Sequence, residues 1–312
     1  MNALGGRGKA GWAEPDPRYV AARRVLLDAL TALAPHGNAI IVAGAQAVYL
    51  RTGVSDIAIA PYTTDGDLTL DPTLLGDEPE LEVSMRGAGF ELMGQESPQP
   101  GVWVASVDVA GEQLVIPVDL IVPEAAATGG GRRGARLGIH GNRAARRAVG
   151  LEAALVDHSP ITVAALDAED PRALDVEVAG VAALLVAKAH KIHDRVLSKR
   201  PDRLSDKDAA DVYRIMQTAS SGETGTTLAG LSRDPRAGEP TLLALTYLGE
   251  LFGRRGGQGV AMAQRALRLA VPEAQVAALC VSFTDRLLAI ARPEKRGRPA
   301  GDVHESSWIP PT

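Results

Sequence analysis

Thr64-Asp65-Gly66-Asp67-Leu68-Thr69-Leu70 alternates in side-chain type, the period of a β-strand. On a strand, Asp65 and Asp67 fall on one face with their backbones about 6–7 Å apart, so both carboxylates can reach the same cations. Hard divalent ions such as Mg²⁺ or Mn²⁺ take oxygen ligands and share their shells with phosphate oxygens, which makes paired carboxylates suited to phosphoryl and nucleotidyl transfer. The bland alternative is two solvated residues at a strand end.

Working outward, Asn38-Ala-Ile-Ile-Val-Ala43 is a short apolar run of the kind found in buried strands. It breaks at Gly44 and leads into a helical stretch over 45–51. Before it, Val20, Val25, Leu26, Leu30 and Leu33 recur at helical spacing over 17–33, and Pro35 stops the pattern. After it, 102–107 and 114–122 flank Ala110-Gly111-Glu112 as a hairpin. Asp119 sits in Ile116-Pro-Val-Asp-Leu-Ile-Val122, where an unpaired acid would be expensive to bury. It calls for a cation, either a metal ion or an arginine in a salt bridge. One more pair of strands is expected before Thr162.

The second half reads as helical over 181–196, 205–217, 242–252, 260–269 and 275–290, with 222–238 a polar loop. The expected organisation is a disordered tail (1–16), a mixed-sheet α/β domain of the α+β kind (17–174), a helical domain (175–291) and a second disordered tail (292–312). Leu184, Lys188, Lys191 and Arg195 lie on one helix face that turns from apolar to cationic. Those cations either meet phosphate or complement the helix dipole. Ser205-Asp-Lys-Asp208 fits an N-cap with an acid three residues on, Lys207 and Asp211 are spaced to pair, and Asp211 is placed to position Lys188 or Lys191. The densest basic run, Arg132, Arg133, Arg136, Arg143, Arg146 and Arg147, is either a solvated loop or a track for an RNA backbone. With aromatic residues only 4% of the chain, extensive stacking on single-stranded bases is disfavoured.

Apolar residues make up 46% of the 312, enough for a substantial core, and the net charge of −5 argues against nonspecific coating of nucleic acid. A single cysteine, Cys280, excludes an intrachain disulfide and a cysteine-rich zinc site, and suits a reducing, cytoplasmic setting. No stretch reads as a signal peptide or as a membrane span, so no membrane partner is expected. Zinc spacings among the histidines, a nucleophile elbow, a Walker loop and a dinucleotide fingerprint are all missing from the sequence.

Gly44-Ala45 after a strand, Asp65-Gly-Asp67 on the next strand and Asp119 on a later one resemble the nucleotidyltransferase superfamily of polymerase β, particularly its AbiEii-like and MenT-like bacterial toxin enzymes. The likeness spans 21–217, where Ala187-Lys188-Ala-His-Lys191 and Lys207-Asp208-Ala-Ala-Asp211 look like that group's lysine helix and its basic-Asp-x-x-Asp signature. The resemblance implies metal binding at Asp65, Asp67 and Asp119, with Asp119 as ligand or base. It implies catalytic roles for Lys188 and Asp211, and a nucleoside triphosphate held by Gly44, Ala45, Lys188, Lys191 and Asp208. It further implies a tRNA 3′ end as acceptor, contacted by the arginine run, and a cognate antitoxin protein. A small-molecule or protein hydroxyl is the alternative acceptor, and a degenerate homologue that only binds nucleotide or RNA is the alternative to an enzyme. The chain departs from the family pattern in having Ala45 where serine or glycine is usual, Gly66 between the acids, and a longer gap from Gly44 to Asp65.

Overall fold

The computed structural model describes residues 15–53, 63–94, 96–127, 133–198 and 206–292. Most of both expected tails lies outside these, but Asp16 and Arg292 belong to the fold. The Asp16 carboxylate accepts the Arg18 N–H at 2.8 Å and starts α1 (Pro17–Ala32), whose first residue, Pro17, has no N–H to satisfy. Arg292 closes the last helix through its N–H to the Leu288 carbonyl.

Among the described residues, eight strands form one mixed sheet. They are β1 (Ile40–Ala43), β2 (Gly66–Leu70), β3 (Glu91–Leu92), β4 (Val102–Val109), β5 (Glu112–Pro123), β6 (Arg146–Ala148), β7 (His158–Ala164) and β8 (Ala173–Ala179). Their order is β3-β4-β5-β2-β1-β8-β7, with β6 also beside β5. The central pairs are β1–β2 antiparallel, β1–β8 parallel and β2–β5 parallel. The expected hairpin is β4–β5, and its turn uses Ala110 and Gly111 at φ 54° and 86°, the left-handed sense that matches strand twist. The further strands before Thr162 are β6 and the start of β7, but they do not pair with each other. β6 runs parallel to β5 where β4 has ended, and β7 is antiparallel to β8. The sheet therefore continues to Ala179, past the 174/175 boundary read from the sequence.

The helices are α1, α2 (Gly44–Thr52), α3 (Leu81–Gly87), α4 (Val181–Leu197), α5 (Asp206–Thr218), α6 (Ser221–Leu231), α7 (Gly238–Phe252), α8 (Gln258–Leu267) and α9 (Glu273–Ala291). α1 covers one face of the sheet, packing Val25, Leu26 and Leu30 into a buried cluster with Leu68, Leu70, Val118 and Leu120. That cluster continues without a break into Leu185, Val212, Leu248, Phe252 and Phe283 of the helical half.

Two expectations are corrected. Part of the polar loop expected at 222–238 is α6, capped by Ser220, whose hydroxyl oxygen accepts the Glu223 N–H at 3.3 Å. Its glycines and threonines are poor helix formers, and the helix is held by close packing instead. A methyl group at Gly225 would sit 3.0 Å from the Ile290 side chain of α9. The other correction is that α9 is, by length and composition, apolar enough to cross a membrane. In the fold it buries Val276, Cys280, Phe283 and Leu287 against the other helices. Burial pushes the Cys280 thiol up to about 12, so little reactive thiolate exists at neutral pH.

One joint governs how the helical half meets the sheet. β8 passes into α4 at Gly180, whose N–H bonds the Asp157 carbonyl at 2.7 Å, while the Asp157 carboxylate accepts the Ala183 N–H at 2.9 Å. A methyl group at 180 would lie 2.1 Å from that carboxylate, so only glycine lets the acid cap α4 from the side.

Candidate active site

Strand register assembles the site. Asp67 lies opposite Ala43 of β1 and Asp119 of β5, and Arg146 of β6 lies opposite Ile121. Residues opposite one another share a face of a sheet, so Asp67, Asp119 and Arg146 look out on the same side. That side also carries a small apolar cluster of Ala43, Ile121 and Leu151, against which Ala187 of α4 packs. α4 thus lies across the carboxylates and forms the opposite wall of a cleft of about 710 Å³, lined by Gly44, Asp67, Arg146, Lys191 and others.

Asp65 is placed differently from the sequence expectation, since β2 starts at Gly66 and Asp65 belongs to the loop ahead of it. Its carboxylate accepts the Thr63 hydroxyl, and Lys207 of α5 donates to that same hydroxyl at 3.1 Å. Lys207 is therefore turned toward the Asp65 loop. Gln46 on α2 holds the Asp65 carbonyl at 3.2 Å. Buried Arg23 orients Gln46 by a 2.9 Å bond to its amide oxygen, and is itself bound to the Tyr19 hydroxyl and the Ala164 carbonyl. Of these supporting residues only Lys207 stood out in the sequence, and there for pairing with Asp211 and as part of the basic-Asp-x-x-Asp signature. An arginine inside the otherwise apolar face of the first helix was the available signal.

Asp67 is the most perturbed acid of the cleft. Burial, together with the negative charges of Asp65 and Asp119, pushes its carboxyl up to about 6, against the opposing pull of Lys191 and Arg146. Gly44 begins α2 with φ 66° and its Cα faces the Asp67 carboxylate so closely that a methyl group there would fall 1.9 Å from Oδ2. Gly66, between the acids, turns to the opposite face, where a methyl group would come 3.3 Å from Leu26 of α1. The space a larger residue would fill at 66 is taken by that helix. Gly44→Ala should lower stability by at least about 2 kcal/mol, from the left-handed backbone and the clash with the carboxylate. Gly37→Ala, which meets nothing within 4 Å, should change it by less than about 0.5 kcal/mol. Chemical denaturation of the two variants side by side checks this.

Lys188 is buried, and its ammonium is bound by Asp208 Oδ1 and Asp211 Oδ2, both at 2.7 Å. Burial alone would lower its pKa, but Asp211 and Asp208 outweigh it and hold the group above the usual lysine range. Burial likewise opposes ionisation of Asp208, which Lys188, Lys191 and Arg195 overcome, holding it below the usual carboxylate range. Lys188 thus ties α4 to α5. One turn on, Lys191 is half-exposed, touches Asp208 at 3.3 Å and acts on Asp67 from across the cleft. Both lysines line the cleft; Lys191 is the more exposed of the two, while Lys188 is buried between Asp208 and Asp211. The Ser205 cap reading lies outside the described residues.

The described arginines of the basic run have different partners. Arg132 lies outside the described residues. Arg133 and Arg136 are exposed on the loop whose backbone pairs with that of 145–147. Arg143 reaches Glu82 of α3 at 3.3 Å. Arg146 and Arg147 line the cleft, the first bound to Asp119 at 2.6 Å and the second to Glu124 at 3.3 Å. The neutraliser of Asp119 in this structure is thus Arg146, one of the two cations that its buried setting called for. Further along the same wall, His193 stacks on Tyr247 with ring centres 3.6 Å apart, and His190 meets Tyr247 edge-on.

The donor set suits a hard divalent cation at Asp65 and Asp67, because only oxygens are offered and the two charges repel each other. Among the described residues, no three acidic, histidine or cysteine side chains are grouped closely enough to hold a metal ion. Comparison with models of known protein families finds no match to the chain, and comparison with curated proteins finds none.

Proposed function

We propose that this protein is a metal-dependent nucleotidyltransferase of the polymerase-β-like kind, moving a nucleotide from a nucleoside triphosphate onto an acceptor hydroxyl. One observation carries the reading: Asp67 and Asp119 stand side by side on adjacent parallel strands, with Asp65 close by, facing Lys191 across a cleft that begins at a strand–glycine–helix turn. Asp65 and Asp67 would hold Mg²⁺ or Mn²⁺. When bound, the ion supplies charge neutralisation of the triphosphate and activation of the attacking hydroxyl. The backbone N–H groups of Gly44 and Ala45, at the start of α2, would take phosphate oxygens. Lys191 and Arg147 add positive charge to the cleft. The new bond joins the acceptor oxygen to the α-phosphorus, the α–β bridging bond breaks with its electron pair leaving on pyrophosphate, and the hydroxyl proton passes to Asp119.

A tRNA 3′ end as acceptor and a toxin role with an antitoxin partner rest on the family resemblance alone, and a cytoplasmic site of action rests on the single cysteine and the sequence pattern. A nucleotide-binding protein without transfer activity is the second reading, favoured by the engagement of Asp119 with Arg146 and by the absence, among the described residues, of three acidic, histidine or cysteine side chains grouped closely enough to hold a metal ion. Incubation of the protein with each of four α-labelled nucleoside triphosphates, Mg²⁺, total RNA and total protein separates these. Label on RNA of tRNA size that is lost in Asp67→Ala supports the full proposal, and label on protein or a small molecule moves the acceptor. Triphosphate binding with no incorporation of any nucleotide would replace the enzyme reading with the second one.

A further inference from the structure

Arg146 is the cation of the cleft whose acidic partner is one of the three carboxylates. Both Nη2, at 2.6 Å, and Nε, at 3.1 Å, point to the same oxygen of Asp119, Oδ2. The backbone of Arg146 is fixed twice over, by its pairing with Ile121 of β5 and by a bridge to Gly134 on the other side. Its side chain, by contrast, is about 30% exposed and lines the open cleft. A guanidinium on a fixed backbone whose tip borders an open cleft can exchange one oxyanion for another. Its planar fork fits phosphate as well as carboxylate.

We propose that Arg146 is an exchangeable counter-ion that occupies Asp119 in the nucleotide-free protein and transfers to the triphosphate on binding, so that metal ion and triphosphate enter the site together. This rests on the nucleotidyltransferase reading and adds a binding order to it. With Arg146 on Asp119, an incoming divalent cation meets a positive group and finds one carboxylate already taken, so the ion alone binds weakly. A triphosphate carries several negative charges into the cleft and offers Arg146 a stronger partner. Once Arg146 has moved, Asp119 is released for the ion or for the acceptor proton. Each ligand therefore improves the site for the other, and by linkage the improvement is the same in both directions.

The full chain is titrated with Mn²⁺ alone, with inorganic tripolyphosphate alone, and with tripolyphosphate at saturating Mn²⁺, following heat of binding. In the wild type, Mn²⁺ should tighten tripolyphosphate by about 10-fold or more. Arg146→Ala should bind Mn²⁺ alone about 10-fold more tightly than the wild type, with the coupling reduced toward unity. Arg146→Lys keeps the charge without the fork and should retain weak binding of Mn²⁺ alone, which separates charge from any loss of folding in the alanine variant. Equal or weaker Mn²⁺ binding by Arg146→Ala, with coupling as in the wild type, overturns the proposal while leaving the metal site standing. If Asp67→Asn binds Mn²⁺ as tightly as the wild type, the metal-dependent reading fails and this inference falls with it.

Discussion

Lys188→Ala is expected to destabilise the protein by about 3–5 kcal/mol, the cost of stranding buried carboxylates without their partner. The ammonium is the shared ligand of Asp208 and Asp211, and all three groups are almost fully buried. The pH dependence has a definite sign. Asp208 titrates below its unfolded-state value, so its stabilisation is present above about pH 4 and is lost as pH falls through the lowered native value. Lys188 titrates above its unfolded value, so its share holds below about pH 10 and fades only as pH rises through the raised one. Urea unfolding at pH 7 measures the loss. A triple variant, Lys188→Met with Asp208→Asn and Asp211→Asn, should recover much of it, because the charges leave together. Similar stability of Lys188→Ala and wild type would mean that the triad contributes nothing to holding α4 on α5.

Asp67→Asn should act in the opposite direction, raising the stability of the metal-free protein by about 1–3 kcal/mol above pH 7 while abolishing nucleotide transfer. The native carboxyl binds its proton more tightly than the unfolded chain does, being pushed up to about 6 from an ordinary value near 4. The wild type therefore gives up stability as pH rises from about 4 through 6, and the asparagine variant does not. Denaturation midpoints between pH 4 and pH 8 should show the two proteins alike at the acid end and diverging above it. Added Mg²⁺ should close the gap from the wild-type side, since an ion that binds only the native carboxylates stabilises only that protein. A constant difference across the pH range would remove Asp67 as the seat of the unfavourable charge.

The parts of the fold that were legible in the sequence are those written in local patterns. Alternation over 64–70, the apolar run ending at Gly44 and the helical spacing over 17–33 each depend on neighbours within a few residues, and β2, β1 and α1 stand where those patterns lie. β8 carries the same kind of signal, with Leu174, Val176 and Val178 alternating with Asp175 and Glu177, yet its place next to β1 follows only from the sheet as a whole. α6 left little trace, because its Gly225 serves contact with α9 and its apolar positions are few. In the site, Asp67 and Asp119 were readable as acids on strands, but Asp65 lies in the loop ahead of β2, and the neutralisation of the acids was not readable. The Asp119–Arg146 pair joins residues 27 apart and exists because β6 lies alongside β5. The Lys188 clamp joins residues 20 and 23 apart on different helices. Arg146 and Arg147, adjacent in the chain and both lining the cleft, have different acidic partners for the same reason.

The joint at Gly180 bears on how this cleft can choose its ligands. The sheet supplies the acids and α4 supplies Lys191, so the gap between them is the angle at which α4 leaves β8. Asp157 grips that corner at two successive points, the N–H of Gly180 and the N–H of Ala183, and the Lys188 clamp braces the same helix further along. A helix pinned at its root and again along its length behaves as a fixed wall. These contacts oppose a change in the angle of α4, so a ligand of the proposed kind would be sorted by size and charge at entry more than by closure of the wall.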